Sequence, residues 1–96
     1  MTRNPSHTGA LIRNVILPET GLSVSALADR CGLARNTVSK IVNERGDVTE
    51  DIAIRLSRVL GSTPQFWLAM QAKLNLWKLE QKNKRIYSNM ERVQTG

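Results

Sequence analysis

The stretch VSALADRCGLARNTVSKIVN, Val24 to Asn43, decides the fold of this chain. Apolar residues recur at helical spacing on both sides of Gly32, which predicts two short helices joined by a turn. Helices that cross at about 90–120° need a small residue where their backbones approach and a turn residue that tolerates a left-handed backbone. Ala28 and Gly32 meet these requirements. The pattern predicts a helix-turn-helix over residues 24–43, although two ordinary helices meeting at a glycine would have the same spacing.

The second of these helices, predicted from about Ala34 to Val42 or Asn43, carries side chains that suit a DNA major groove. With Val38 and Ile41 directed inward, its polar residues face solvent, where Arg and Lys can donate to guanine and Asn can pair with adenine. Ser25, at the start of the preceding helix, and Arg45, after this helix, are suited to contact phosphates. The predicted DNA-binding residues are Ser25, Arg35, Asn36, Thr37, Lys40 and Arg45. Exposed Arg and Lys side chains are also ordinary solvated groups, so this set is a hypothesis.

The composition favours a polyanionic binding partner, and the N-terminal sequence favours a cytoplasmic location. The 96 residues carry fourteen Lys and Arg against eight Asp and Glu, a net charge of +6, and nucleic acid is the commonest polyanion. No apolar run approaches the roughly 20 residues of a membrane helix. The first residues, MTRNPSHTG, lack the apolar core of a signal peptide, so we expect a cytoplasmic location.

Helical spacing in three further segments predicts an all-α fold of five helices. The first is expected over about Gly9 to Leu17, ended by Pro18, and the fourth between Thr49 and Gly61. Gly46 is expected to end the third helix, which is the second helix of the predicted helix-turn-helix. The fifth is expected over residues 64–82, with Pro64 at its first position. Residues 1–83 are thus predicted to form one domain, and residues 84–96 a basic, poorly ordered tail.

The fifth predicted helix has two apolar faces. At about 100° per residue, Trp67, Met70, Leu74 and Trp77 fall on one side, and a second stripe falls roughly opposite. The second stripe consists of Leu68, Ala72, Leu76 and Leu79. A terminal helix has one neighbour to cover it, so the second stripe predicts a homodimer interface. A helix sandwiched within the monomer, or a face that docks another protein, would have the same pattern.

Catalysis is not expected from this sequence. The lone His7 is predicted to lie in a flexible N-terminal segment, and Cys31, the single cysteine, is expected in the core. One cysteine forms no internal disulfide and supplies no zinc cluster. The chain offers no Ser/His/Asp set, paired carboxylates or metal-ligand set, so we expect no enzyme, cofactor or metal.

A longer stretch, Ala26 to Trp77, resembles the HigA (VapI-like) antitoxins of the XRE-type, lambda-repressor-like helix-turn-helix family. Its specific element is TPQFWLAMQ, Thr63 to Gln71, which is similar to the T-P-x-F-W-L-x-x-Q motif of these antitoxins. The resemblance covers roughly residues 7–80. The chain departs from it at His7 to Ala10, HTGA, where the family often has His-Pro-Gly-Glu.

The resemblance implies an antitoxin of a type II toxin–antitoxin pair. Such a protein binds a palindromic operator as a homodimer, represses its own operon and neutralises a RelE-like toxin that cleaves mRNA. Carried onto this chain, the DNA-reading residues are Arg35, Asn36, Thr37 and Lys40. One alternative is a stand-alone XRE-type repressor without a toxin. Another is a protein-binding module whose charge is incidental, which predicts weak DNA binding that is indifferent to sequence.

Overall fold

The computed structural model describes residues 5–94, and all regular secondary structure in that range is helical. Helix α1 covers residues 8–20. The others are α2 Val24–Cys31, α3 Arg35–Val42, α4 Glu50–Leu60, α5 Pro64–Lys82 and α6 Lys84–Ser88. The predicted all-α helix-turn-helix fold is confirmed, with one short helix added at the end. Within this range no helix is long and apolar enough to cross a membrane.

The first helix differs from the prediction because Pro18 does not end it. Helix α1 is α-helical over Thr8–Leu11, widens to a π-helix over Ile12–Ile16 and is α-helical again over Leu17–Thr20. A proline ring clashes with the carbonyl group four residues earlier in a regular α-helix. The wider π turn directly before Pro18 relieves that clash. The helix ends instead at Gly21, which has a left-handed backbone with φ 72°.

The predicted starts of α2, α4 and α5 are confirmed. The hydroxyl oxygens of Ser23, Thr49 and Thr63 each accept a hydrogen bond from the backbone N–H three residues later. These bonds satisfy N–H groups that have no partner within the helix. Local sequence is therefore sufficient to place three of the helix starts.

The end of α3 corrects a second prediction. Glu44, and not Gly46, takes the left-handed conformation, with φ 62°. The Glu44 N–H donates to the Ile41 carbonyl oxygen at 3.0 Å, and the Arg45 N–H donates to that of Lys40 at 2.8 Å. This pair of bonds is a Schellman motif, which normally has glycine at the left-handed position.

The core lies where α1–α4 meet the first half of α5. Its central aromatic side chain is Trp67, whose indole N–H donates to the Ser62 hydroxyl at 2.6 Å. Cys31 is buried there as predicted, and burial raises the pKa of its thiol against the opposing effect of Arg55. The buried cluster consists of Ile12, Leu27, Ala28, Cys31, Val38, Ile41, Val42, Val48, Ile52, Ala53, Leu56 and Trp67.

Beyond this core, the second half of α5 and α6 form an exposed C-terminal arm. The molecule is elongated, with extents of 54 × 25 × 21 Å. The first five residues of the predicted tail form α6, so that part has regular structure. Leu76 and Leu79 in the arm remain 58% and 47% exposed.

Candidate nucleic-acid interface

The turn between α2 and α3 is fixed by hydrogen bonds from two directions. Gly32 has φ 65°, and the Leu33 N–H donates to the Ala28 carbonyl oxygen at 2.9 Å. From α4, the Arg55 guanidinium donates to the carbonyl oxygens of Cys31 (2.9 Å) and Gly32 (3.1 Å). Helix α3 is therefore held at a set angle to α2 by α4 as well as by the turn.

Helix α3 buries one face and presents the other to solvent, as its sequence predicts. Val38, Ile41 and Val42 are buried. On the opposite side Arg35, Asn36 and Lys40 are exposed and Thr37 is half-buried, whereas Ser25 and Arg45 are exposed on the flanking segments. Asn36 and Lys40 are four residues apart, so they lie on the same face, one turn from each other. The outward arrangement that major-groove reading requires is present.

The start of α3 is joined to α2 through a pair of predicted site residues. The Arg35 Nε–H donates to the Ser25 hydroxyl oxygen at 2.9 Å. This bond uses Nε and neither of the terminal Nη groups, so it orients the guanidinium without engaging its outer edge. Ala34 occupies the N-cap position and provides no side-chain hydrogen bond. The first turn of α3 is thus less tied down than its interior.

A second pair of predicted residues lies at the other end of α3. The chain turns back after the helix, so that the Arg45 N–H donates to the Lys40 carbonyl oxygen. The side chains of both residues are exposed. Gly46 lies against the Lys40 side chain, since a Cβ atom placed on Gly46 would be 3.2 Å from Lys40 Cβ. The backbone of Arg45 and Gly46 therefore packs against Lys40, which brings both cationic residues to the C-terminal end of α3.

Contacts from α1 to the end of α3 were not predicted from sequence. The Arg13 Nη1 donates to the Val42 carbonyl oxygen at 2.6 Å, and its Nη2 pairs with the Glu44 carboxylate at 3.2 Å. Gly9 lies so close to Ile41 that an added Cβ atom would overlap the Ile41 carbonyl oxygen. These partners are about thirty residues apart in sequence, so no local pattern reports them.

His7 also belongs to this contact region, which corrects the prediction of a flexible N-terminal segment at that position. It is the N-cap of α1, where its Nδ1 accepts a hydrogen bond from the Gly9 N–H at 2.9 Å, and it is only 6% exposed. Burial lowers the pKa of His7, and the nearby carboxylate of Glu44 opposes that change. The imidazole therefore has a structural role.

Gln71 links α5 to the segment that follows α3. Its side-chain carbonyl accepts from the Val48 N–H at 2.8 Å, and its amide donates to the side-chain oxygens of Asp47 (3.2 Å) and Asn75 (3.0 Å). It is 4% exposed. In TPQFWLAMQ, Thr63 therefore caps α5, Trp67 fills the core and Gln71 holds the segment after the predicted recognition helix.

The predicted dimer face on α5 is partly packed against the core and partly exposed. Leu68 packs partly against the core. Ala72, Leu76 and Leu79 are exposed, whereas Trp67 and Leu74 on the opposite side are buried. A cleft of about 560 Å³ between α5 and α6 is lined by Leu76, Leu79 and Tyr87.

This chain is similar to known helix-turn-helix proteins in sequence and in fold. The helix-turn-helix family matches residues 12–67. An uncharacterized HTH-type transcriptional regulator of Haemophilus influenzae is 38% identical over 93 residues, covering 97% of this chain and 86% of that protein. The antitoxin HigA-1 of Vibrio cholerae is 40% identical over 75 residues, covering 78% and 70%.

Among solved structures, the antitoxin GraA in complex with its operator has a TM-score of 0.89 and 38% identity. The match covers 99% of this chain and 97% of that one. The class is thus the XRE-type helix-turn-helix proteins. Within it, the chain belongs to the HigA-like antitoxin family, as its T-P-x-F-W-L-x-x-Q motif indicates.

Proposed function

We propose that this protein is the antitoxin of a type II toxin–antitoxin pair that binds its own operator as a homodimer. In this account it represses its operon from the cytoplasm and neutralises a RelE-like toxin that cleaves mRNA. The observation that carries the DNA-binding half is the exposed polar face of α3 on a helix whose other face is buried. Family membership supports the antitoxin half, since relatives include proteins named as antitoxins.

DNA reading is assigned to the start of α3. A recognition helix enters the major groove with its N-terminal residues closest to the bases. Arg35 then donates its Nη groups to guanine O6 and N7, and Asn36 pairs with adenine. The Thr37 methyl group can contact thymine. At the far end, Lys40 donates to a guanine or to a phosphate, and Arg45 neutralises phosphates, which set the register of the helix without reading sequence. Ser25 either supports Arg35 or donates to a phosphate.

Dimerisation is assigned to the exposed stripe on α5. A two-fold dimer presents two copies of α3, which need to be about 34 Å apart to read successive major grooves of a palindrome. Ala72, Leu76 and Leu79 form the exposed apolar part of this stripe, with Leu68 at its core-side end. Burying them against a second copy removes apolar area from water.

Replacement of Leu76 by Asp tests the dimer. A carboxylate in an apolar interface carries a desolvation penalty of several kcal/mol, so Leu76→Asp is expected to be monomeric. Light scattering measures the mass, and Lys73→Asp, on an exposed position of the same helix, is the control. A dimeric mass for Leu76→Asp would remove this stripe from the interface.

Toxin neutralisation is tested by co-expression with the small open reading frame adjacent to this gene. The expected result is that the neighbour alone arrests growth, that this chain restores growth, and that the two proteins purify as a complex. A harmless or non-binding neighbour would contradict the antitoxin assignment. The chain would then be a stand-alone repressor, a function favoured by its likeness over 97% of its length to an HTH-type transcriptional regulator.

A further inference from the structure

The positive charge of this chain is concentrated away from the helix-turn-helix. Residues 73–92 carry six of the fourteen basic side chains and two of the eight acidic ones, so they account for four of the six net positive charges. Residues 5–72, which include α3, have seven basic and six acidic side chains and are nearly neutral. All six basic residues of the first segment are exposed: Lys73, Lys78, Lys82, Lys84, Arg85 and Arg92.

Two of these lysines continue a face of α5 that already contacts the DNA-binding unit. At 3.6 residues per turn, positions 71, 75, 78 and 82 lie on one face of this unbroken helix. Gln71 bonds to Asp47 and Val48, which follow α3 and Arg45 in the chain. Lys78 and Lys82 lie about one and two turns beyond Asn75 on that face, and we call them the lysine seam.

The position of Lys78 relative to α1 agrees with this continuity. Burial is the main cause of the lowered pKa of His7, and the positive charge of Lys78 contributes to it. Lys78 is therefore within electrostatic range of His7, the N-cap of α1. Helix α1 contacts α3 as well as α5, and its Gly9 lies against Ile41 of α3, so α1 links α5 to the predicted recognition helix.

The lysine seam does not compete with the apolar stripe. Around the axis of α5, at about 100° per residue, Lys78 lies about 160° from Leu76 and about 100° from Leu79, and Lys82 lies about 120° and about 60° from them. A second copy seated on the stripe leaves the seam at the border of the dimer, open to a ligand. Lys73, in contrast, lies on the other side of α5 from the seam.

We propose that Lys78 and Lys82 form a second DNA contact, which binds phosphates adjacent to those met by Lys40 and Arg45. This inference rests on the proposed DNA-binding function and extends it beyond the helix-turn-helix. Phosphate contacts carry no base information, so the seam raises affinity for every sequence by the same factor. Discrimination between sequences remains with α3.

Salt titrations of the full-length chain test this assignment. Binding to a fluorescent duplex of its own promoter region and to a scrambled duplex is measured for Lys78→Gln, Lys82→Gln and the matched control Lys73→Gln. Each seam variant is expected to lower the slope of log K against log salt by about one, and the double variant to weaken both duplexes by about tenfold at low salt. Lys73→Gln is expected to match the unmodified chain, and light scattering checks that the dimer persists.

The outcomes separate this inference from the proposed function. If the seam variants and Lys73→Gln all bind like the unmodified chain, which still prefers its own promoter, the second contact is wrong and operator binding stands. If the seam variants change only the preference between duplexes, the lysines read bases and the phosphate assignment is wrong. If the unmodified chain shows no preference for its promoter, operator recognition fails, whereas a lower salt slope in the seam variants would still support the phosphate contact.

Discussion

The two ends of α3, the proposed recognition helix, differ in how firmly the protein holds them. At its C-terminal end, Gly9 contacts the backbone of Ile41 directly, and Arg13 binds both Val42 and Glu44. At its N-terminal end, Arg55 holds the preceding turn, but the first turn of the helix has no side-chain cap from Ala34 and is linked to α2 by an exposed Arg35–Ser25 bond. The firm end lies against α1, and the open end carries the residues assigned to base reading.

This difference indicates how a small domain can combine a rigid scaffold with an available binding edge. Side chains that bond internally are not free to bond to bases, so a recognition helix anchored at its reading end would lose donors. Anchoring at the opposite end fixes the direction of the helix without using those donors. Positive backbone φ at Glu44, a non-glycine residue, shows that the anchored end also tolerates strain of order 1 kcal/mol.

The substitution Gly9→Ala is expected to disrupt the firm end most strongly. The new methyl group would overlap the Ile41 carbonyl oxygen, which is backbone and cannot rotate away. We expect a loss of about 3 kcal/mol in the free energy of unfolding, at the upper end of overpacking costs. Urea denaturation measures it. The control is Gly21→Ala, at a position with open space around it and a left-handed backbone, which is expected to cost about 1 kcal/mol. Equal costs for the two variants would show that α1 and α3 are not in close backbone contact at Gly9.

A fall in pH is expected to reduce the stability of the contact between α1 and α3, but by less than Gly9→Ala does. The pKa of His7 is lowered by burial in the folded chain, so the unfolded chain, with the usual value of 6.5, binds the proton more readily. The contribution of His7 to stability is thus complete above pH 6.5 and is lost as the pH falls through the lowered pKa. Protonation also removes the acceptor for the Gly9 N–H, a cap of about 1 kcal/mol. His7→Asn keeps a capping oxygen, and thermal melts across this range should show a flatter pH profile for it; identical profiles would exclude His7 as the cause.

The smallest expected effect is a gain at the open end. Ala34→Ser introduces a hydroxyl at the N-cap of α3, which can accept a hydrogen bond from the first turn. The expected result is about 1 kcal/mol more stability. Urea denaturation checks the gain, and Ala34→Val, whose side chain also has no hydrogen-bond acceptor, is the control. No difference between the Ser and Val variants would mean that the first turn is already satisfied in another way.

Sequence alone predicts those features of this fold that depend on near neighbours. Ser23, Thr49 and Thr63 cap helices through bonds three residues away, and Gly32 turns the chain because of its own backbone freedom. The outward face of α3 follows from helical periodicity. These signals were sufficient for the all-α helix-turn-helix fold.

The errors concern features that depend on distant residues. Proline normally ends a helix, but the π turn before Pro18 relieves the clash and the helix continues to Thr20. His7 is expected to be flexible from sequence, but it caps α1, whose Gly9 lies against Ile41 of α3. Glu44 took the place expected for Gly46 in a motif held partly by Arg13. Such long-range pairs have no period or spacing by which a single sequence reveals them.

The most direct test of the central claim is a competition between the promoter duplex of this gene and a scrambled duplex at physiological salt. The chain is expected to prefer its own promoter by roughly 10³-fold or more. Arg35→Ala is expected to cost about 1–3 kcal/mol and to relax the preference at one base position. Equal binding of the two duplexes would contradict the account and leave the chain as a protein-binding module with a basic surface.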